Sequence, residues 1–257
     1  MIYFVGAGSG AVDLITVRGK DLLEKADLII YAGSLVNKNL LKYARPTCTI
    51  MDSAAMTLEE VVGAMVPAAR AGKLVVRLHT GDPSVYGAHR EQMDLLKAGD
   101  DEFEVVPGVS SFCAAAAALK AEYTLPGVSQ SVIITRMEGR TGVPIGQHIA
   151  DYAAHNATMV IFLSSGMTEK LSEELIAGGY NENTPAAIVY KASWPDQKIV
   201  HCTVGTLKEA ALEHNITNLA LITVGNFLGN EYQRSELYSP TFSHRFRKAA
   251  ETDSEPE

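Results

Sequence analysis

Short apolar runs alternate with amphipathic stretches along the first half of the chain. The runs Ile2–Val5, Leu28–Tyr31, Leu74–Leu78 and Phe103–Val106 have the length and β-branched content of strands. Between and after them, apolar residues recur at helical spacing over Thr16–Ala26, Thr57–Ala71, Tyr86–Lys97 and Val109–Leu119. Strands that alternate with helices predict a largely parallel sheet with crossover helices. Leu74, Val75, Val76 and Leu78, interrupted only by Arg77, predict a strand covered on both faces. The rhythm breaks at Pro126-Gly127 and then resumes. Further strands are expected at Ser131–Thr135, Met159–Leu163, Ala186–Tyr190, Ile199–Thr203 and Ala220–Val224, with helices at Gln147–His155, Thr168–Ala177 and Leu207–His214. The strands near Ala186 and Ile199, joined through Ser193-Trp194-Pro195-Asp196, read as an antiparallel pair, so the second sheet should be mixed. These patterns predict two α/β domains, 1–120 and 121–240, and a tail, 241–257, whose acidic end from Glu251 to Glu257 should fray.

At 257 residues and 47% hydrophobic composition, the chain can bury a core in each half. The formal net charge of −8 excludes a generally basic surface, so neither nucleic acid nor an anionic membrane is an expected partner. An acidic ligand would have to be met by local cations. Cys48, Cys113 and Cys202 are scattered and form no CxxC pair, which predicts neither a disulfide framework nor a zinc knuckle. The start, MIYFVGAGSG, reads as a strand entering a glycine turn rather than as an export signal. The alanine-rich stretch Phe112–Leu119 falls short of the roughly 20 residues of a spanning helix. A cytoplasmic protein is expected.

Three loops follow strands and precede helices. Gly6-Ala7-Gly8-Ser9-Gly10 lets backbone amides approach a ligand, yet its spacing is not GxGxxG, and Ala32-Gly33 after the next strand lacks the acid that would hold the ribose of NAD. Thr80-Gly81-Asp82-Pro83-Ser84-Val85-Tyr86-Gly87 sits at the carboxyl end of an apolar strand, the edge where open α/β sheets bind ligands. Asp82 there either caps the following helix or accepts hydrogen bonds from a ligand hydroxyl or amino group. Pro107-Gly108-Val109-Ser110-Ser111 offers two hydroxyls, for a helix cap or a ligand. The three loops are expected to converge on one rim.

These loops, together with Tyr31-Ala32-Gly33-Ser34-Leu35-Val36, occur in the order and spacing of the tetrapyrrole methylases, and the chain resembles that family over almost its whole length. Ser129-Gln130-Ser131 followed by Thr135-Arg136-Met137-Glu138-Gly139-Arg140-Thr141 resembles the branch that methylates carbon 11 of precorrin-4 or cobalt-precorrin-4 in cobalamin synthesis. The resemblance implies the class III methyltransferase fold: two α/β domains, a cleft between them for S-adenosylmethionine, which leaves as S-adenosylhomocysteine, and a homodimer. It places cofactor contacts at Ser9, Gly81, Asp82, Val85, Ser110 and Ser111, and across the cleft at Leu163, Ala187 and Ala220. Two residues depart from the family pattern. Gly8-Ser9-Gly10-Ala11 stands where members usually carry Gly-Pro-Gly-Asp. Ser9 lacks the fixed φ of proline, which predicts a looser loop, and Ala11 lacks a carboxylate, for which Asp13 two positions later is the candidate replacement.

Methyl transfer to an electron-rich macrocycle carbon needs orientation and exclusion of water rather than a covalent intermediate. The sequence agrees, for it carries no Ser-His-Asp, HExxH or P-loop pattern and no histidine spacing for a metal, and it identifies no general base. A polycarboxylate tetrapyrrole requires clustered cations, for which Arg136 and Arg140 are the first candidates and Lys191 the next. Arg90 reads instead as a surface partner of Asp94. Trp194 and Tyr31 are aromatic enough to line a flat ligand, although core packing explains either. A methylase of another tetrapyrrole carbon, a binding module without turnover and a nicotinamide enzyme remain as alternatives, the last opposed by the glycine spacing.

Overall fold

A computed structural model describes residues 1–33 and 35–249; Ser34 of the second family-like loop and the acidic end expected to fray lie outside the described residues. The first sheet is built from β1 (Ile2–Gly6), β2 (Leu28–Tyr31), β3 (Thr49–Asp52), β4 (Val75–His79) and β5 (Phe103–Val106), in the order β3-β2-β4-β1-β5. Every pairing in it is parallel. β3 escapes the sequence pattern because it is a four-residue edge strand with mostly exposed side chains. Helices cover both faces, as β4 predicts. Val5, Ile29, Val76 and Leu78 pack with Leu22 and Leu23 of α1 (Val17–Lys25). On the other face Phe4, Ile30 and Val75 meet Val61 and Met65 of α2 (Leu58–Arg70) and Leu96 of α3 (Arg90–Ala98). Thr57 and Glu60 start α2 with a reciprocal capping box.

The helix expected from Tyr86 begins only at Arg90. Tyr86 and Ala88 have φ of 55° and 47°, outside helical geometry, so the segment between Asp82 and His89 is a loop. Arg90 is thus the first residue of α3, and its guanidinium pairs with Asp94 at 2.8 Å as expected.

The second sheet contains β6 (Val132–Arg136), β7 (Thr158–Phe162), β8 (Pro185–Tyr190), β9 (Lys198–Thr203) and β10 (Ala220–Val224), ordered β6-β7-β10-β8-β9. β6 and β7 are parallel and the other pairs antiparallel. One face carries α5 (Ile149–Ala153), α6 (Thr168–Ala177) and α7 (Leu207–Glu213), packed through Met159, Ile161, Ile188 and Ile222. The opposite face is covered by α4 (Ser111–Leu119), whose Ala114 and Ala115 pack with Val160, Val189 and Leu221. Small side chains let this helix approach the sheet closely. α4, which lies before residue 120, thus buries its alanine face on the second sheet. Tyr123 locks the crossing by donating to the Phe112 carbonyl at 2.8 Å, and its own carbonyl accepts from the Thr158 hydroxyl at 2.8 Å.

Three neighbouring strands of the first sheet end against one another. A Cβ on Gly6 would lie 2.6 Å from the Gly81 carbonyl oxygen, and one on Gly108 would lie 2.2 Å from the same atom. Both contacts are to backbone, which has no side-chain freedom with which to yield. Gly108→Ala should therefore cost about 1–3 kcal/mol of stability, read as a lower urea midpoint.

Candidate functional site

The three loops converge as the sequence expects. Gly8 and Gly81 exchange backbone hydrogen bonds, 3.2 Å from Gly8 N to Gly81 O and 2.9 Å from Gly81 N to Gly8 O, and Ala7 N donates to His79 O at 2.7 Å. Asp82 ties the second loop to the third instead of capping a helix. One carboxylate oxygen accepts from Gly108 N at 2.8 Å, and the other accepts from Ser84 N at 2.8 Å and from the Ser84 hydroxyl. Partial burial works to raise the Asp82 carboxyl, but the hydrogen bonds from Ser84 and Gly108 outweigh it and hold its pKa below the usual carboxylate range. Ser110 occupies the N-cap position of α4 without a side-chain cap bond.

The first loop is pinned to the second sheet, not loose. The Ser9 and Ser193 hydroxyls are 2.8 Å apart, Ala11 N donates to Ser193 Oγ at 3.0 Å, and the Trp194 indole donates to Ser9 O at 3.1 Å. Asn37 closes the loop from behind, donating to Gly10 O at 2.7 Å. A Cβ on Gly10 would lie 2.1 Å from the Trp194 ring, so the indole lies directly on the glycine backbone. These bonds replace the rigidity that a proline would supply. Asp13 is exposed on a separate turn and does not reach the site, so it is no substitute for the missing carboxylate.

Between the loops and the second sheet lies a cavity of about 380 Å³, within the span typical of small-molecule sites. Ser9, Gly81, Asp82, Val85, Ser110, Ser111, Leu163 and Ala220 all line it. Ala187 does not: it is fully buried in β8, and Val189, on the same strand face two residues closer to the opening, reaches the cavity instead. The sequence pattern also missed Thr80, Tyr86, Leu219 and Leu221 as wall residues. Tyr31 is buried in the core, while Trp194 is only partly covered and faces the cavity.

A second hollow of about 540 Å³ adjoins the first through Leu163, which lines both. Arg136 and Arg140 lie in its wall with Thr217 and Asn218. Arg136 makes no ion pair with Glu138. Its guanidinium donates to the carbonyls of Met137, Thr141 and Gly142 at 3.0, 3.1 and 2.7 Å, folding the loop around itself, and pairs with no carboxylate among the described residues. Lys191 lines the first cavity, paired with Asp196 at 2.6 Å and lying over the Trp194 ring. The three predicted cations are therefore divided between the compartments, the two arginines in one and the lysine in the other.

Backbone strain gathers at these walls. Tyr86, Leu163, Lys191 and Leu219 line the cavity with φ of 55°, 53°, 46° and 54°. Each such residue costs about 1–3 kcal/mol and persists only where its surroundings hold it. Leu163 combines this with 64% exposure at the edge that both hollows share.

Under the rim, burial dominates the charges. Arg77 is buried in β4 and lowered to about 10, while His79 is lowered to about 3 by burial, with further contributions from Arg77 and His89. The His79 ring packs between Phe4 and His89, and its Nε2 has no partner.

An α/β chain whose parallel and mixed sheets face each other across a glycine-rimmed cavity, with an arginine-lined hollow beside it, defines a two-compartment ligand-binding enzyme fold. The model for the Tetrapyrrole (Corrin/Porphyrin) Methylases matches residues 1–208, and the chain belongs to that family. It is 51% identical over 249 residues, 96% of each chain, to a cobalt-precorrin-4 C(11)-methyltransferase of Methanocaldococcus jannaschii. The X-ray structure of a cobalt precorrin-4 methyltransferase, a cobalamin biosynthetic enzyme, superposes with a TM-score of 0.87 at 48% identity, covering 89% of this chain and 96% of that one. A uroporphyrin-III C-methyltransferase of Thermus thermophilus, complexed with S-adenosyl homocysteine, gives a TM-score of 0.73 at 27% identity, covering 89% and 93% of the two chains.

Two measurements check the site. Ser193→Ala leaves the Ala11 amide and the Ser9 hydroxyl without their partner, so amide exchange at Ala11 should accelerate roughly tenfold, with a loss of about 1 kcal/mol of stability. His79 excludes a proton when folded, whereas the unfolded chain takes one up below 6.5. Its contribution to stability is therefore complete above pH 6.5 and falls as the pH drops towards about 3. Urea unfolding between about pH 7 and about pH 5 should show a fall of about 2 kcal/mol from this group, absent in His79→Gln.

Proposed function

We propose that this chain transfers the methyl group of S-adenosylmethionine to carbon 11 of precorrin-4 or cobalt-precorrin-4, releasing S-adenosylhomocysteine, in the synthesis of the corrin ring of cobalamin. What carries the reading is the adjacency of two compartments that share Leu163, one ringed by backbone and hydroxyl groups and the other by arginines. The name of the M. jannaschii relative and the ligand of the T. thermophilus structure support the same reaction and cofactor.

The residues present fit the cofactor. The buried Thr80 hydroxyl has no partner among the described residues, the Ser110 hydroxyl is not used as a helix cap, and Gly81 turns at φ 60° in the cavity wall. Thr80, Ser110, Ser111 and the Gly81-Asp82 loop would hold its polar groups, with Val85, Leu163 and Leu219 to Leu221 packing its apolar surface. When bound, S-adenosylmethionine supplies a methyl carried on a positively charged sulfur. The protein's part is to orient that group, exclude water and hold the partner molecule. Arg136 and Arg140 meet substrate carboxylates in the adjoining hollow, and Lys191 screens the cavity mouth. Arg136 does so as a fixed charge whose position is set by the three carbonyls it already grips.

We read the two sheets as two domains meeting near residue 120, and the enzyme as a cytoplasmic homodimer acting on a free tetrapyrrole without nucleic acid or membrane. Three free cysteines are in keeping with a reducing compartment, and no helix among the described residues is long and apolar enough to cross a membrane.

Anaerobic incubation with labelled S-adenosylmethionine and either precorrin-4 or cobalt-precorrin-4 tests the reaction. A product heavier by one methyl, with the label at carbon 11 by NMR, is expected. A label at another carbon would reject the assignment within the family, and no turnover with either substrate would reject the activity itself.

A further inference from the structure

Tyr86 stands where the two compartments meet. It lines the cofactor cavity, its ring lies tilted against Phe162 with centroids 5.3 Å apart, and Phe162 directly precedes Leu163, the residue that both hollows share. The phenol is near enough to Arg136 to feel its charge, although burial is the larger influence on it. The side chain is 45% exposed, and among the described residues its hydroxyl makes no hydrogen bond. A large aromatic residue held at φ 55° in the cavity wall is poorly explained by packing.

A buried chain of polar groups holds it there. The Arg77 guanidinium donates to Ile30 O and to Gln92 Oε1, both at 3.2 Å, and the Gln92 amide donates to Ala88 O at 3.2 Å. Arg77 is buried with no carboxylate beside it among the described residues, an expensive arrangement in the middle of a sheet. Its reach runs from β2 through α3 to the left-handed Ala88, two residues from Tyr86, and so fixes the loop that helix formation would otherwise absorb.

Resting on the reaction proposed above, we propose that Tyr86 positions the tetrapyrrole: its ring walls the passage between the compartments and its hydroxyl donates a hydrogen bond to a substrate carboxylate, while Arg77 and Gln92 are positioning residues that hold Tyr86 in place. Tyr86→Phe keeps the wall and removes the donor. Its KM for the tetrapyrrole should rise roughly tenfold, the size expected for a hydrogen bond to a charged group, with kcat and the affinity for S-adenosylhomocysteine within about twofold of wild type. Gln92→Met, which frees Ala88 without touching either compartment, should reproduce the rise in KM and also spare S-adenosylhomocysteine binding. An unchanged KM in Tyr86→Phe would overturn the proposal, as would a parallel loss of S-adenosylhomocysteine affinity, which marks a merely structural role. Titration of the same variants with the tetrapyrrole by absorbance reads its affinity without turnover. A failure of the methylation reaction is then distinguishable from a failure of the role of Tyr86: the first abolishes turnover in wild type, the second leaves Tyr86→Phe binding the tetrapyrrole as wild type does.

Discussion

The carbonyl oxygen of Gly81 is the atom around which the binding site is arranged. It accepts from Gly8 N, and it is the atom that a side chain at Gly6 or Gly108 would strike. Three adjacent strands of a parallel sheet, β1, β4 and β5, can end this close together only with glycine at the contacts. Because parallel strands share a direction, their following loops leave from one edge, and the close packing draws those loops onto one rim. The Asp82 carboxylate then needs to reach only one loop further, to Gly108 N, to make the rim a single hydrogen-bonded unit.

That rim becomes one wall of a cavity because the second sheet is held against it. α4 leaves the third loop and buries its alanines on the second sheet, while the turn after β8 returns Ser193 and Trp194 to the first loop. These two connections, through α4 and through Ser193 and Trp194, tie the facing walls to each other. The cost is local strain at Tyr86, Leu163, Lys191 and Leu219, all of which line the cavity. Strained backbone of this kind is retained where a site over-determines the conformation.

Charge is distributed by the same logic. The chain is acidic overall, with a net charge of −8, yet among the described residues Arg136 is satisfied by carbonyls rather than by a carboxylate. Lys191 and Arg90, by contrast, are paired with Asp196 and Asp94. Arg77 and His79 are buried under the rim, the histidine held neutral and the arginine bonded to Ile30 and to Gln92, which reaches Ala88. Position relative to the two compartments, not residue type, separates these roles.

Apolar periodicity by itself determined nearly every strand, because burial on one or both sheet faces is a local requirement that each run of side chains must meet. It missed β3, whose exposed edge imposes no such requirement, and it extended α3 back through Tyr86, since helical spacing says nothing of a polar chain reaching over from Arg77. The glycine loops and the family resemblance likewise placed Gly81, Asp82, Val85, Ser110 and Ser111 at the site, for loop positions follow directly from strand ends. Only the tertiary structure decided that Val189 rather than Ala187 meets the cavity, that Ser9 is pinned by Ser193 and Trp194, and that Arg136 and Arg140 occupy a separate hollow from Lys191. Those are distances between residues far apart in sequence, set by how two sheets pack, and no local pattern encodes them.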